Sequence, residues 1–420
     1  MLVTSPPAAA DLPILRRRTT VVLVVSQILG GLGVATGIAL AAVLARDVSG
    51  TDALSGLAPT AMVAGTALLA MPLAALMTAR GRRHGLVAAY LIGAAGAGVV
   101  VLAAIADNFP LLLAGMAAFG AGSSANLQAR FAAADLAEPA RRGRAISTVV
   151  WATTIGAVLG PNIAAPAGRS AAALGVPEAA GPFLWAAGVF LLSSLVVAVA
   201  LRPDPLLTAR ALAAEDGGEP RGHSLRAGVR AVRESPRARL ALLAVTVSHT
   251  AMVSIMSMTP VALTHHGADI QLIGLVISVH IAGMYAFSPV MGRLSDRFGR
   301  LPVIGLAVVL LGSAALLAGT AGASHGRTAT GLFLLGLGWS AGLVAGSALL
   351  TDSVPAAARA AAQGLSDLTM NAAAGVGGVT AGLIVANAGY GWLNGVGAAL
   401  LLPLVLLTVR RRRPAAPAKS

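Results

Sequence analysis

Two histidines stand in the middle of long uncharged stretches, His249 in SHTAMVSIMS and His280 in SVHIAGMY. An imidazole has an ordinary pKa of about 6.5, so placed away from water it can load and release a proton or hold a solute. The same position also suits a neutral ring bonded to a backbone carbonyl between helices. Arg130, in SSANLQARFAAADL, lies about four or five residues from the end of another such stretch, and Asn126 precedes it by one helical turn on the same face. On a cavity wall this pair would draw an anionic or acceptor-rich solute; otherwise the Arg reaches to the surface or pairs with Asp135. Asp367 and Asn371 repeat the spacing, and Gln27 is the one long polar side chain of the first apolar stretch. No carboxylate lies at the middle of any stretch. Proton carriage would therefore fall to the two His, or to Asp52 or Asp367 near the ends.

Side chains of this kind need elements to hold them. Of 420 residues, 56% are apolar and 11% charged, and so apolar a chain cannot be coated by so few charges. A bilayer is implied as the solvent. The net charge of +14 does not signal nucleic-acid binding, because the Arg residues sit in short clusters between apolar runs. There is no Cys, which excludes disulfides and thiolate chemistry, and no phosphate-cradling GxxxxGKS or GxxxxGKT loop. His265–His266 lacks further ligands, so neither a metal nor any other cofactor is expected. The sparse intramembrane acids argue against an enzyme.

A hydrocarbon core of about 30 Å takes roughly 20 helical residues to cross. Twelve stretches suffice: 21–45, 55–77, 85–106, 109–134, 145–167, 181–201, 239–263, 270–291, 301–321, 329–351, 361–386 and 390–409. They must be helices, since open sheet edges cannot exist in lipid. With the N-terminus inside, 26 of the 30 basic residues fall on the inner side and only Arg46, Arg169 and Arg327 outside, which places both ends in the cytoplasm. The first apolar run exceeds the roughly 7–15 residues of a signal peptide and is read as an uncleaved helix. Trp151, Trp185, Trp339 and Trp392 stand near span ends or cavity walls, where interfacial anchoring is the main role expected of them.

The polar stretch 202–238 divides the chain into a six-helix bundle over 21–201 and another over 239–409, with a cytoplasmic segment 1–20 and a basic tail 410–420. Landmarks recur across the division. The segment 74–83 matches 292–301 at an offset of 218, while Asp135 matches Asp352 and Gly160 matches Gly377 at 217. Six spans per unit makes these parallel repeats, related by an axis along the membrane normal.

These residues resemble the major facilitator superfamily over nearly the whole chain. Its loop G-x-L-x-D-R-x-G-R between the second and third helices is matched in the second half by GRLSDRFGR, with Gly292, Asp296, Arg297, Gly299 and Arg300. The first-half copy has Ala74 for the leading Gly and Thr78 for the Asp. Gly156, Gly160 and Pro161 resemble the fifth-helix element associated with antiporters, whereas an early Arg in the fourth helix is missing. The resemblance implies an all-α membrane protein of 12 helices that moves a small molecule across a bacterial-type plasma membrane by alternating access, acting as a monomer. Proton-coupled efflux of a drug or metabolite leads; uptake of a small, anionic solute by symport is the alternative. The Asp296 loop is expected to hold one gate shut, with Arg359 as the partner of Asp296 and a weaker lock at Thr78.

Overall fold

The computed structural model describes residues 11–51, 54, 56–215, 225–268 and 270–410. Asp52 and the end of the basic tail lie outside the described residues. The first half is built from six long helices, α1 (Leu12–Ser49), α2 (Leu57–Arg80), α3 (Arg82–Ile105), α4 (Phe109–Asp135), α5 (Arg142–Ala172) and α6 (Gly181–Ala200). Two short helices follow, α7 (Pro205–Glu215) and α8 (Leu225–Glu234), where the sequence suggested a plain loop. The second half comprises α9 (Pro236–His265), α10 (Ile270–Tyr285), α11 (Ser288–Phe298), α12 (Arg300–Gly319), α13 (His325–Asp352), α14 (Arg359–Ala388), α15 (Tyr390–Ala399) and α16 (Leu402–Arg410).

Nine helical segments among the described residues are long and apolar enough to cross a membrane. To these are added α4 and α5, long enough at 27 and 31 residues but more polar, and the stacked pair α15–α16. Twelve crossings result, in an all-α fold of two repeats. Two of them are broken: α10 stops at Tyr285 before α11, and α15 at Ala399 before α16. Starts are marked by ordinary chemistry, as where Asn108 accepts from the Leu111 N–H and Ser235 from the Ala238 N–H. The repeat is also visible in the backbone. Gly81 joins α2 to α3 at φ 91°, and its counterpart Gly299 joins α11 to α12 at φ 93°, a conformation that suits a residue without Cβ.

One apolar core fills the first half, around Tyr90, Phe119, Phe183 and Phe190, and another the second, around Ile304, Ala307 and Leu350. A further cluster belongs to both halves: Ala134, Ile146 and Val150 pack with Val245, Met252, Trp339 and Met370.

Candidate functional site

The residues that join the halves sit near one end of the bundle, the end that carries the Arg clusters. Here α2 and α14 meet along one seam and α5 and α11 along the other, and each seam depends on a small residue. A Cβ on Gly292 would strike Ser147 Oγ, and a Cβ on Gly364 would strike the Ala74 Cβ. Position 74 corresponds to 292 and Ser147 to Gly364, so each seam has its glycine on one side only, and on opposite sides.

On the α5–α11 seam Asp296 accepts hydrogen bonds from the main-chain N–H of Gly143 at 2.9 Å and of Arg144 at 2.8 Å. A carboxylate thus caps the N-terminus of a helix in the other half, where unpaired N–H groups and the helix dipole favour negative charge. Arg300 Nη1 bonds Asp296 at 2.5 Å and Arg300 Nε bonds Asp352 at 3.1 Å, and Asp352 takes a second bond from Arg142 of the first half. Arg359 is not the partner of Asp296: its charge interacts with Asp135, Arg142, Asp352 and Arg82, and its Nε has no hydrogen-bond partner. Arg297 is exposed, over the ring of Phe298, and makes no gate contact.

On the α2–α14 seam Thr78 cannot play the part of Asp296; its hydroxyl bonds back to Ala74. Instead Arg210 of α7 donates to the carbonyl of Thr78 at 2.8 Å and to that of Ala357 at 3.2 Å, tying one half to the other. Burial, then the nearby Arg82 charge, lowers the Arg210 pKa from its ordinary value, against the pull of Asp135 and Asp204. Asp204, at the start of α7, accepts from the Arg83 N–H at 2.7 Å.

Deeper in, a dry polar network spans the interface. Arg82 is 0% exposed and bonds Asp135 at 2.8 Å, Gln128 at 2.9 Å and the side-chain oxygen of Gln363. Arg130, 1% exposed, bonds Asp367 of α14 at 2.7 Å, Ser347 of α13 at 3.3 Å and the Leu127 carbonyl at 2.7 Å. Asp367 also accepts from Gln128 at 2.7 Å. Two guanidinium groups meet two carboxylates, with every nitrogen of both guanidiniums bonded, the condition under which buried charge is tolerated. Arg130 therefore neither reaches the surface nor pairs with Asp135. The pairing of Asn371 is with the main-chain oxygen of Asp367, at 2.8 Å.

The remaining candidates scatter. Asn126 is half-buried and accepts from Tyr90 at 3.0 Å. Gln27 donates to Thr153 of α5 at 2.8 Å, leaving its own oxygen without a partner. Gly156 and Gly160 serve packing of α5 on α1: a Cβ on Gly156 would come within 2.6 Å of the Gly31–Leu32 backbone, and one on Gly160 within 2.5 Å of Ala35. Pro161 continues the same helix. His280 is buried within the second half, its Nδ1 on the Leu332 carbonyl at 2.8 Å. His249 accepts at Nδ1 from Trp339 at 2.9 Å, so Trp339 is an interior residue and not an interfacial anchor. The offset of 217–218 already matched Arg82 with Arg300 and Arg142 with Arg359; Gln128, Gln363 and Arg210 carried no comparable signal.

Among the described residues, the hydrogen bonds between the halves gather at this one end: Arg82–Gln363, Gln128–Asp367, Arg130 to Ser347 and Asp367, Arg142–Asp352, Asp296 to Gly143 and Arg144, Arg300–Pro139, and Ser288–Ser147. Such an arrangement fastens the halves together at the Arg-rich face of the interface.

A family model described as Major Facilitator Superfamily matches residues 23–269 and 241–420. The MFS-type transporter YdeG of Bacillus subtilis (strain 168) is 39% identical over 404 residues, spanning 95% of this chain and 93% of that one. The riboflavin transporter RfnT of Brucella anthropi is 32% identical over 401 residues, spanning 93% and 96%. Among solved structures, the human organic anion transporter MFSD10 superposes with a TM-score of 0.76 at 17% identity, over 94% of this chain and 99% of that one.

Proposed function

The chain belongs to the major facilitator superfamily, and from that premise we propose that it exports a small organic solute in exchange for protons, by rocking its two halves about the central seam. It is a multi-pass membrane transporter and not an enzyme. The one-sided set of bonds between the halves carries the proposal, because an alternating-access carrier in one of its two states is shut at one face only. The positive-inside rule supports reading the Arg-rich face as cytoplasmic, and on that reading the closed face is the inner one. The membrane is the bacterial plasma membrane, and a monomer suffices for the cycle.

Asp367 is the proton carrier of this reading. Around it stand Arg130 and Gln128 as bonded partners, Arg82 as a further charge, and Asn371 on the next turn. A proton on Asp367 would leave Arg130 buried without its counter-ion, which disfavours the closed state and favours opening inward. His249 suits the part less, because a second proton would have to displace the Trp339 bond at Nδ1. Symport of an anion drawn by Arg130 also loses its basis, since Asp367 already balances that charge.

The test is transport in inside-out vesicles under an imposed proton gradient, with a panel of amphipathic compounds that includes riboflavin because of the Brucella relative. Accumulation abolished by a protonophore is expected. No gradient-driven movement of any panel member in either vesicle orientation would overturn the reading.

A further inference from the structure

Trp339 of α13 is 4% exposed and lies between two other rings. His249 of α9 has its centroid 6.2 Å away, and Tyr285 of α10 stands edge-on at 5.4 Å. An indole nitrogen only donates, so the 2.9 Å contact makes His249 Nδ1 the acceptor and fixes the neutral ring as its Nε2–H tautomer. His249 and Tyr285 are half-buried. Among the described residues neither the His249 Nε2–H nor the Tyr285 hydroxyl has a hydrogen-bond partner, and neither atom is sealed from solvent. Two donors are thus held on an aromatic wall with no protein group to receive them.

Depth and surroundings agree. Counting along α9 and α13 at about 1.5 Å per residue, His249 and Trp339 each lie about 20 Å from the Arg-rich end, beyond the Arg130 network. They border the apolar cluster shared by both halves, in which Met252, Met256 and Met284 supply soft, polarizable contacts.

We propose that Trp339, Tyr285 and His249 form the seat of a flat heteroaromatic solute that carries a carbonyl or ring-nitrogen acceptor. The ring system rests against the aromatic wall and the acceptor takes the His249 Nε2–H. The seat rests on the transporter reading above and names its class of cargo. Flat hydrocarbons of the same size gain the contact but leave the donor unpaired, so the site discriminates by the acceptor.

Binding to the full chain, purified in detergent, separates the two cases. Chromone, a flat bicycle with a carbonyl and no donor, is compared with naphthalene by equilibrium dialysis. Chromone is expected to bind about tenfold more tightly, the worth of one hydrogen bond in a shielded site. His249→Phe, which keeps a ring but removes the donor, is expected to erase that preference while naphthalene binding stays within about twofold. Equal binding of the two compounds, binding of neither, or a preference that survives His249→Phe would overturn the proposal. The wild-type comparison decides without a variant if His249→Phe does not fold. Selective chromone binding by a chain that moves nothing in vesicles would uphold the seat and sink the transport reading instead.

Discussion

Arg130 and Asp367 are each 1% exposed and stand 237 positions apart in the chain, on helices of opposite halves. Removing one partner of such a pair leaves a bare charge in a buried site, so Arg130→Met should cost about 3–5 kcal/mol of stability in the state closed at the Arg-rich end. Thermal unfolding in detergent measures it, and the double variant Arg130→Met with Asp367→Leu should recover most of the loss. If the single and double variants unfold alike, the pair does not hold the gate. Asp367→Asn keeps the hydrogen-bonding shape but carries no titratable proton; exchange should then lose its pH dependence while binding of solute persists. The sequence marked Arg130 and Asp367 as buried polar candidates but paired neither with the other. Their spacing invites local partners, Asn126 and Asp135 for the Arg and Asn371 for the Asp, and only the docking of the halves brings the two charges together. His249 shows the same limit: its depth was readable, its tautomer was not, because that is set by an indole 90 positions away.

At the scale of helices, the seams depend on close approach. Gly292→Val would push α11 off Ser147 and the Gly143 carbonyl, so on the proposed cycle the seam at the Arg-rich end should loosen and the population open at that end rise several-fold. A chain with no Cys is a clean background for the measurement: a single Cys at a gate position becomes labelled faster from the inner side when the seam opens. Unchanged labelling would remove the seam from the gate. Asp296→Ala acts at the same place by a different cause, since it strips the cap from the first turn of α5. The helices themselves were plain in the sequence, because runs of Ala, Gly, Leu and Val long enough to cross lipid leave few alternatives. The breaks at Tyr285 and Ala399 and the helices α7 and α8 were not, since nothing in hydropathy distinguishes a helix from a helix with a bend. The capping of one half by a carboxylate of the other was likewise hidden, as backbone N–H groups have no sequence signature.

Across the whole molecule the two repeats are alike in backbone and unlike in bonding. One seam is held by Asp296 at two N–H groups and by the Arg300–Asp352–Arg142 chain; the other, lacking its Asp, adds Arg210 from the connecting segment to the bonds that Arg82, Gln128 and Arg130 make with α14. Arg210→Ala should therefore raise inner-side labelling on the α2–α14 side alone, and adding Thr78→Asp should lower it again. Equal labelling along both edges would show that α7 plays no part. On the proposed cycle the inner mouth would not part like a pair of matched doors: the edge that leans on a side chain borrowed from the connecting segment answers to that segment, and the edge with its own carboxylate does not.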